Sequence, residues 1–192
     1  MRPRTRPPTV RDLPEQKPAR GPMTQTSKAS VIVTWDRAGL GAMTDTCGPA
    51  AASWLSAHGF AVGPIESVAS EWSDLTGAVT RAVADGQHLV TICGGVGLGI
   101  KDISPQVAEK ISDHSIPGLG ELWRRESLKY SLSSYLSRSG GWVKDGTLIL
   151  AIPGSAKAAV EYLGIVGDLL PLALKGLRFT HDHHSEAVEG HA

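Results

Sequence analysis

The feature that most constrains the fold is a short apolar strand that runs directly into a glycine-rich turn. Residues 89–92 are mostly apolar, and four glycines follow within residues 94–99. Ser104-Pro105 then has the form of a helix N-cap followed by proline at the first helical position. Glycines let backbone N–H groups approach an anion closely, and a helix N-terminus adds a positive dipole end. The segment therefore predicts a nucleotide or phosphate site at the C-terminal edge of a parallel sheet.

Two charged residues, Lys101 and Asp102, stand between the glycines and this predicted helix. A carboxylate is an unfavourable neighbour for a phosphate unless a Mg²⁺ ion lies between them. Asp102 is therefore a candidate magnesium ligand.

The glycine turn matches neither of two familiar phosphate-binding loops. A P-loop needs lysine after its last glycine, and here Ile100 follows Gly99. A dinucleotide fingerprint needs one more residue between its glycines than Gly95–Gly99 provides. That fingerprint also leads directly into a helix, whereas no helix is predicted directly after Gly99. A merely flexible connection is also disfavoured, because each ordered glycine costs about 1 kcal/mol relative to alanine.

A second turn of the same type follows the apolar segment 147–152. Ser155 can cap the helix that begins there, and Lys157 falls in the first turn of that helix. A cation is unfavourable at a helix N-terminus, so Lys157 is better explained if it faces a bound anion. A solvated lysine remains the alternative.

Strand and helix patterns alternate along the chain. The predicted strands are 30–34, 60–68, 88–92 and 147–152. The predicted helices are 48–58, 75–84, 104–111, 118–130 and about 166–174, and a further helix follows Ser155 and continues through Leu163. Asp74 is the predicted cap of the second helix. This alternation predicts an α/β fold, a single-domain three-layer sandwich with a mostly parallel central sheet. Ligands then bind at the loops 34–48, 93–104 and 152–156, beyond the strand C-termini.

Composition agrees with one folded domain between two tails. The chain has 192 residues, 41% of them hydrophobic, with 19 basic and 19 acidic residues. Zero net charge gives no general attraction to nucleic acid, and no apolar run approaches the roughly 20 residues of a membrane span. Two cysteines and no secretory signal favour the cytoplasm.

The two tails differ in composition from the domain between them. Residues 1–28, rich in arginine and proline, are predicted to be a disordered tail, with a basic binding arm or a start at Met23 as alternatives. The predicted domain covers 29–179. A flexible His-rich tail then covers 180–192, where a specific metal site is not expected.

Several motifs, in order, resemble the molybdopterin-binding family of molybdenum cofactor biosynthesis, the MogA/MoaB type. The family pattern is roughly T-T-G-G-T-G, D-x-T-P-E, P-G-[FL]-G-E-x-x-R, S-R and L-P-G-S-P-K-A, with S-D-R-A and D-x-x-G-P near its start. The matching segments here are 91–97, 102–106, 117–124, 137–138 and 152–158, with 35–38 and 45–49 near the start.

This resemblance implies a trimer that binds molybdopterin and, in the MogA branch, adenylylates it with Mg²⁺ and ATP, so that the molybdopterin phosphate attacks the ATP α-phosphate. It implies a nucleotidyltransferase that works with other molybdenum cofactor biosynthesis proteins, and the composition adds the expectation that the protein binds neither nucleic acid nor membrane. Asp102 and Glu71 would be catalytic, and Asp102 would hold Mg²⁺. The binding residues would be Gly94, Gly95, Val96, Gly97, Ser104, Glu121, Ser137, Arg138, Pro153, Gly154, Ser155 and Lys157.

The chain departs from the family pattern at two positions that bear on activity. Val96 replaces the threonine of the glycine turn. Ser70 falls where active members have a catalytic carboxylate after the second strand, and Glu71 and Asp74 are the nearest acids. An alternative function is therefore a catalytically weak or inactive member that binds molybdopterin or nucleotide as a carrier or scaffold.

Overall fold

The computed structural model of the protein describes residues 27–35 and 44–177. The strands are β1 (Ser27–Trp35), β2 (Phe60–Val62), β3 (Glu66–Ala69), β4 (Leu89–Cys93), β5 (His114–Ile116), β6 (Gly140–Lys144) and β7 (Thr147–Ile152). The α-helices are α1 (Cys47–Ala57), α2 (Trp72–Ala84), α3 (Ser104–Ile111), α4 (Pro117–Ser127) and α5 (Ala156–Val166). Short 3-10 helices cover Leu132–Leu136 and Gly167–Leu169, and residues 170–177 are helical.

The strands form one mixed, mostly parallel sheet in the order β2-β1-β4-β7-β6-β5, and β3 also pairs with β1. Strands β1, β2, β3, β4 and β7 are mutually parallel, whereas β6 runs antiparallel to both β7 and β5. The central strands β1, β4 and β7 consequently end at the same edge of the sheet. The helices α1, α2, α3 and α5 begin in the turns that follow this edge.

Helices cover both faces of the sheet, so the architecture is the predicted three-layer α/β sandwich. Every residue of β4 and β7 is buried, which explains why both read as continuous apolar runs. Alternate residues of these strands enter two separate cores, Leu150 and Ile152 on one side and Ile149 and Ala151 on the other. The first core contains α1, α4 and α5, and the second contains α2 and α3.

The strand predictions were right in the centre of the sheet and wrong at its edges. The segment 60–68 is two strands, β2 and β3, which pair with successive parts of β1. The antiparallel strands β5 and β6 were not predicted at all. β6 begins with Gly140 and Gly141, which is untypical of a strand. The side chain of Leu119 on α4 packs where a Cβ on Gly141 would lie, so glycine here allows close packing of helix on sheet.

Four helix boundaries also differ from prediction. The helix predicted at 118–130 is α4, which ends at Ser127. Asp74 lies in the first turn of α2, and Glu71 occupies the N-cap position. Ser104 is the first residue of α3 rather than its cap, because Ile103 holds the N-cap position. The predicted last helix at 166–174 is instead the end of α5, a 3-10 turn and the helical residues 170–177.

The predictions for the tails 1–28 and 180–192 and for residues 36–43 fall wholly or largely outside the described residues. Among residues 27–35 and 44–177, the structure contains no helix with the length and apolar character that crossing a membrane requires.

Candidate functional site

The glycine turn after β4 and the second turn after β7 meet at the edge of the sheet. The backbone N–H of Gly94 donates to the carbonyl of Ile152 at 3.0 Å. A Cβ on Gly154 would lie 3.0 Å from Gly94 Cα, so the two chains touch backbone to backbone. Gly94 and Gly95 adopt positive φ angles of 98° and 67°, which side chains disfavour. The site predicted from two distant segments is therefore one continuous surface.

Ser104 holds the glycine turn in shape. It is fully buried, its Oγ donates to the carbonyl of Gly94 at 2.8 Å, and its backbone N–H donates to the carbonyl of Gly95 at 3.1 Å. A Cβ on Gly95 would overlap Ser104 Oγ. Ser104 thus supports the predicted binding loop from beneath and does not face a ligand through its side chain.

Asp102 and Arg138 close the turn from its other end. Asp102 Oδ2 accepts a hydrogen bond from the backbone N–H of Gly99 at 2.7 Å. The guanidinium of Arg138 donates from Nε to the carbonyl of Gly97 at 2.7 Å and from Nη2 to the backbone carbonyl of Asp102. The backbone N–H of Arg138 donates to the carbonyl of Val96 at 2.9 Å. The predicted residues Asp102, Arg138, Val96 and Gly97 therefore lie together.

Ser70 lies at the end of β3, beside the glycine turn. It is 6% exposed, and its Oγ shares a hydrogen bond of 2.7 Å with Thr34 Oγ1. The methyl group of Thr34 lies 3.2 Å from the Cβ position of Gly95. The position where the family resemblance predicts a carboxylate is therefore occupied by a buried serine hydroxyl, which is paired with the hydroxyl of Thr34.

Glu71, the predicted catalytic acid, is engaged by a lysine of the neighbouring turn. Its Oε1 lies 2.6 Å from Lys101 Nζ, with 34% of the Glu71 side chain and 48% of the Lys101 side chain exposed. Asp74 accepts a hydrogen bond from the hydroxyl of Ser73 at 3.1 Å. The pair of Glu71 and Lys101 links α2 to the segment that contains Asp102.

The second turn is capped as predicted. Ser155 Oγ accepts from the backbone N–H of Ala158 at 3.3 Å at the start of α5. Lys157 is exposed and lies 3.9 Å from Glu161 one turn later. This arrangement agrees with the solvated-lysine alternative, and the role of Lys157 toward an anion stays a prediction.

Two buried cysteines lie behind the meeting point of the turns. The Cys47 thiol donates to the carbonyl of Pro153 at 3.4 Å. A hydrogen bond from Cys93 lowers the pKa of Cys47, and the same hydrogen bond together with burial raises the pKa of Cys93. Asp45 accepts from the backbone N–H groups of Cys47 and Gly48 at 2.9 and 3.0 Å and so orders the start of α1.

Two cavities open beside the glycine turn and share Leu98, Leu136 and Ser137. The first, of about 550 Å³, includes Arg124 and Arg138 among its lining residues. The second, of about 370 Å³, is lined by Val96, Gly97 and Pro153 from the two turns and by residues of α4, α5 and the segment 130–136. The predicted residues Glu121 and Lys157 line neither of these cavities.

The lining of the second cavity contains two residues that sequence reasoning missed as site residues, Trp123 and Ser127 on α4. Their spacing of four residues places both on one face of a helix, and this was the available signal. Both residues fall within the predicted helix 118–130, but neither was predicted to belong to a site.

The described part of the chain contains no cluster of three or more His, Cys, Asp or Glu side chains that could hold a metal ion.

Comparison with known proteins places these features in a family. The family model described as "Probable molybdopterin binding domain" matches residues 30–171. The chain is 32% identical over 152 residues to the molybdopterin adenylyltransferase of Helicobacter pylori, covering 77% of this chain and 85% of that protein. It is 33% identical over 150 residues to the molybdenum cofactor biosynthesis bifunctional protein of Synechococcus elongatus, covering 78% of this chain but only 47% of that longer protein.

Solved structures agree. A structure titled as the anomalous substructure of MogA has a TM-score of 0.74 and 35% identity, covering 78% of this chain and 99% of that one. The MoaB enzyme of Thermus thermophilus has a TM-score of 0.73 and 31% identity, covering 79% of this chain and 96% of that one. The expected MogA/MoaB resemblance is confirmed, and the chain belongs to the molybdopterin-binding domain family of molybdenum cofactor biosynthesis.

Proposed function

We propose that this protein is a molybdopterin adenylyltransferase that transfers AMP from ATP to the terminal phosphate of molybdopterin. The observation that most supports this is the contact between the glycine turn and the turn after β7, where Gly94 N–H meets the carbonyl of Ile152 at 3.0 Å. Both turns lead into helix N-termini, so backbone N–H groups and dipole ends from two elements serve one anion-binding surface. Relatives named as molybdopterin adenylyltransferases at 30–32% identity support the same activity.

Binding of two phosphorylated substrates needs positive charge as well as amides. Arg138 lies at the glycine turn and lines the larger cavity together with Arg124. Lys101 lies near the turn but is paired with Glu71. Phosphoryl-type transfer depends mainly on positioning and charge neutralisation, which the amides and guanidinium groups would provide.

The reaction makes one P–O bond and breaks another. An oxygen of the molybdopterin phosphate attacks the α-phosphorus of ATP, the bond from that phosphorus to the oxygen bridging it to the β-phosphorus breaks, and pyrophosphate leaves with the electron pair. The chain would hold the two phosphates against each other at the glycine turn, and Asp102 would be the catalytic carboxylate closest to them. A direct role for Glu71 would require it to leave Lys101.

Asp102 also fits the role of a magnesium ligand. Its Oδ2 is fixed by Gly99 N–H at 2.7 Å, so the orientation of the carboxylate is set before substrate binds. Magnesium in nucleotide sites is commonly held by one or two carboxylates together with substrate phosphates. When bound, the ion would neutralise phosphate charge.

The test is incubation of purified protein with ATP, Mg²⁺ and molybdopterin, followed by chromatographic detection of the AMP adduct and of pyrophosphate. Formation of both products by wild type, with loss in Asp102→Asn, supports the proposal. Asparagine keeps one oxygen that can accept from Gly99 N–H and replaces the other by an uncharged NH₂ group at nearly unchanged size, so it is a matched variant. Failure of wild type to form the adduct would refute adenylylation.

A second candidate function is a carrier or scaffold that binds molybdopterin or nucleotide without efficient transfer. The buried hydroxyl pair of Ser70 and Thr34 favours it, because this position lacks the carboxylate expected of active members. If wild type binds molybdopterin but forms no adduct, Ser70→Asp tests the reason. A gain of adduct formation in that variant would attribute the inactivity to Ser70.

Three finer features belong to the same proposal. Assembly into the homotrimer that the family resemblance implies would cover the exposed apolar side chains of Tyr130, Leu132, Tyr135 and Leu136, which are 55–79% exposed. A cytoplasmic location matches the two buried free thiols, and other molybdenum cofactor biosynthesis proteins would be its partners. Light scattering of the full chain and cell fractionation test the first two, and co-purification with tagged cofactor-synthesis enzymes tests the third.

A further inference from the structure

The two cysteines of the chain, Cys47 and Cys93, belong to the same hydrophobic core. Cys93 is the last residue of β4, and in the sheet it lies between Val33 of β1 and Ile152 of β7. Its side chain enters the core that contains α1, whereas the preceding Ile92 enters the core on the other face. The thiol of Cys93 therefore faces the side of the sheet that α1 covers.

Three contacts bring Cys47, the first residue of α1, to the same place. Its thiol donates to the carbonyl of Pro153 at 3.4 Å, one residue beyond the β7 partner of Cys93. A Cβ on the next residue, Gly48, would lie 2.7 Å from a methyl carbon of Val33, the β1 partner of Cys93. The two thiols are also hydrogen-bonded to each other. The pair thus meets the first requirement of a disulfide, which is two thiols that already face each other.

The two thiols differ in reactivity. The thiolate is the reactive form of cysteine, and a helix N-terminus favours it. Cys47 lies at the N-terminus of α1, and the hydrogen bond from Cys93 lowers the pKa of Cys47. The same hydrogen bond, together with burial, raises the pKa of Cys93, which therefore stays protonated. Because Cys47 is 2% exposed and Cys93 is 0% exposed, an oxidant that reacts with the pair must be small.

We propose that Cys47 and Cys93 form a redox modification site, at which hydrogen peroxide converts the two thiols into a reversible disulfide that lowers the activity of the neighbouring anion-binding turns. The Cys47 thiolate attacks one peroxide oxygen and becomes a sulfenic acid, the O–O bond breaks, and the hydroxide that leaves takes up the proton released by Cys47. The sulfur of Cys93 then attacks the sulfur of Cys47, the S–O bond breaks, and a second water leaves with the Cys93 proton. Two thiols thereby lose two electrons to the peroxide, and thiol exchange with a dithiol reductant reverses the change.

The disulfide would change the contacts at the point where the two turns meet. A disulfide sulfur has no hydrogen, so the carbonyl of Pro153 would lose its hydrogen bond from Cys47. Cys93 directly precedes Gly94, whose N–H meets the carbonyl of Ile152 at 3.0 Å. A bond from Cys93 to α1 therefore acts on the contact that joins the glycine turn to the second turn. The change in activity rests on the proposed function, whereas formation of the disulfide does not.

The experiment treats the full chain with hydrogen peroxide, removes the excess, and counts free thiols by alkylation in denaturant followed by mass spectrometry. The count reports this pair directly because the chain contains two cysteines in all. A non-reducing gel verifies that the product is a single chain. Cys47→Ser is the matched control, since serine keeps a donor for the Pro153 carbonyl and forms no disulfide. The rate of AMP-adduct formation and the ATP affinity are measured before oxidation, after it, and after dithiothreitol.

We expect wild type to lose both free thiols and to form the adduct about fivefold more slowly, which corresponds to about one hydrogen bond. Dithiothreitol should restore both thiols and the rate, and Cys47→Ser should keep its untreated rate in peroxide. Two free thiols in wild type, after a treatment that fully oxidises dithiothreitol, would overturn the proposal. An equal loss of rate in Cys47→Ser would also overturn it, because oxidation elsewhere would then be the cause.

The same measurements separate this inference from the proposed function. If reduced wild type forms no adduct, the proposed function fails, and the ATP affinities of the reduced and disulfide forms then decide whether the pair is a switch. A disulfide form with about fivefold weaker ATP binding would support the switch. An unchanged adduct rate together with an unchanged ATP affinity in the disulfide form would overturn it.

Discussion

Replacement of Gly95 by alanine tests whether Ser104 and the glycine turn form one rigid unit. Gly95 has φ +67°, and a Cβ there would overlap Ser104 Oγ and lie 3.2 Å from the methyl group of Thr34. Gly86 is a matched control, because its φ is +68° but, among the described residues, no atom beyond its chain neighbours lies within 4 Å of its Cβ position. The two variants therefore share the backbone cost and differ in the steric cost.

The expected magnitudes follow from these contacts. A non-glycine residue in the left-handed region costs about 1 kcal/mol, so Gly86→Ala should lower the free energy of unfolding by about that amount. Gly95→Ala must also displace Ser104 Oγ from the Gly94 carbonyl. Breaking a buried hydrogen bond adds about 1–3 kcal/mol, so we expect a total loss of about 2–4 kcal/mol.

Urea unfolding, followed by the fluorescence of the five tryptophans of the chain, measures both losses. A third comparison sharpens the test. On a Ser104→Ala background, Gly95→Ala should cost only about 1 kcal/mol, because the hydroxyl that it displaces is gone. Equal losses for Gly86→Ala and Gly95→Ala in the wild-type background would refute the rigid unit.

Three further predictions follow from the charged groups. Asp102→Asn should lower the rate of AMP-adduct formation at least about tenfold. The midpoint of urea unfolding should stay unchanged within experimental error, since the acceptor for Gly99 N–H is kept. A loss of stability large enough to account for the lost activity would count against a catalytic role. The backbone N–H of Asp145 lowers the pKa of Asp113, so the stabilisation from the Asp113 charge is present above the ordinary carboxyl pKa and disappears as the pH falls through the lowered one. At pH 7 the Asp113→Asn variant should therefore be less stable than wild type by under about 1 kcal/mol, because the side chain is largely solvated. This difference in the free energy of unfolding should vanish in acid. A difference that grows as the pH falls would contradict a stabilising Asp113 charge. Lys101→Met should cost under about 1 kcal/mol in urea, because its ion pair with Glu71 is exposed, and a larger loss would mean that the pair is structural.

The central sheet was predictable because its strands have local signals. β7 was predicted with its observed bounds, since Thr147–Ile152 is a continuous apolar run that ends at proline and glycine. The edge strands lack such signals. β5 has three residues, and β6 starts with two glycines whose presence depends on how closely α4 packs on the sheet. Tertiary packing, which a single sequence does not display, determines those elements.

The candidate site shows the same division between local and tertiary information. The glycines predict a turn because of their conformational freedom, and the position of Ser155 before a helix predicts an N-cap. Ser104 was read as a cap for the same reason, but the structure uses its hydroxyl to hold the carbonyl of Gly94. The sequence therefore singled out Ser104, but its role in holding the glycine turn depends on how α3 packs against that turn.

The acid after β3 is the point where sequence reasoning could not choose. The chain leaves β3 at Ala69 and enters α2 at Trp72, so only the residues between them turn at the sheet edge. The backbone N–H of Ser70 donates to the carbonyl of Trp35 at 2.5 Å, and this contact between strands distant in sequence fixes Ser70 toward the glycine turn. Glu71, one residue later, is then left at the N-cap position of α2, where Lys101 holds it. Because Asp102 is already fixed inside the turn and Glu71 must first break an ion pair, Asp102 is the stronger of the two candidate catalytic carboxylates.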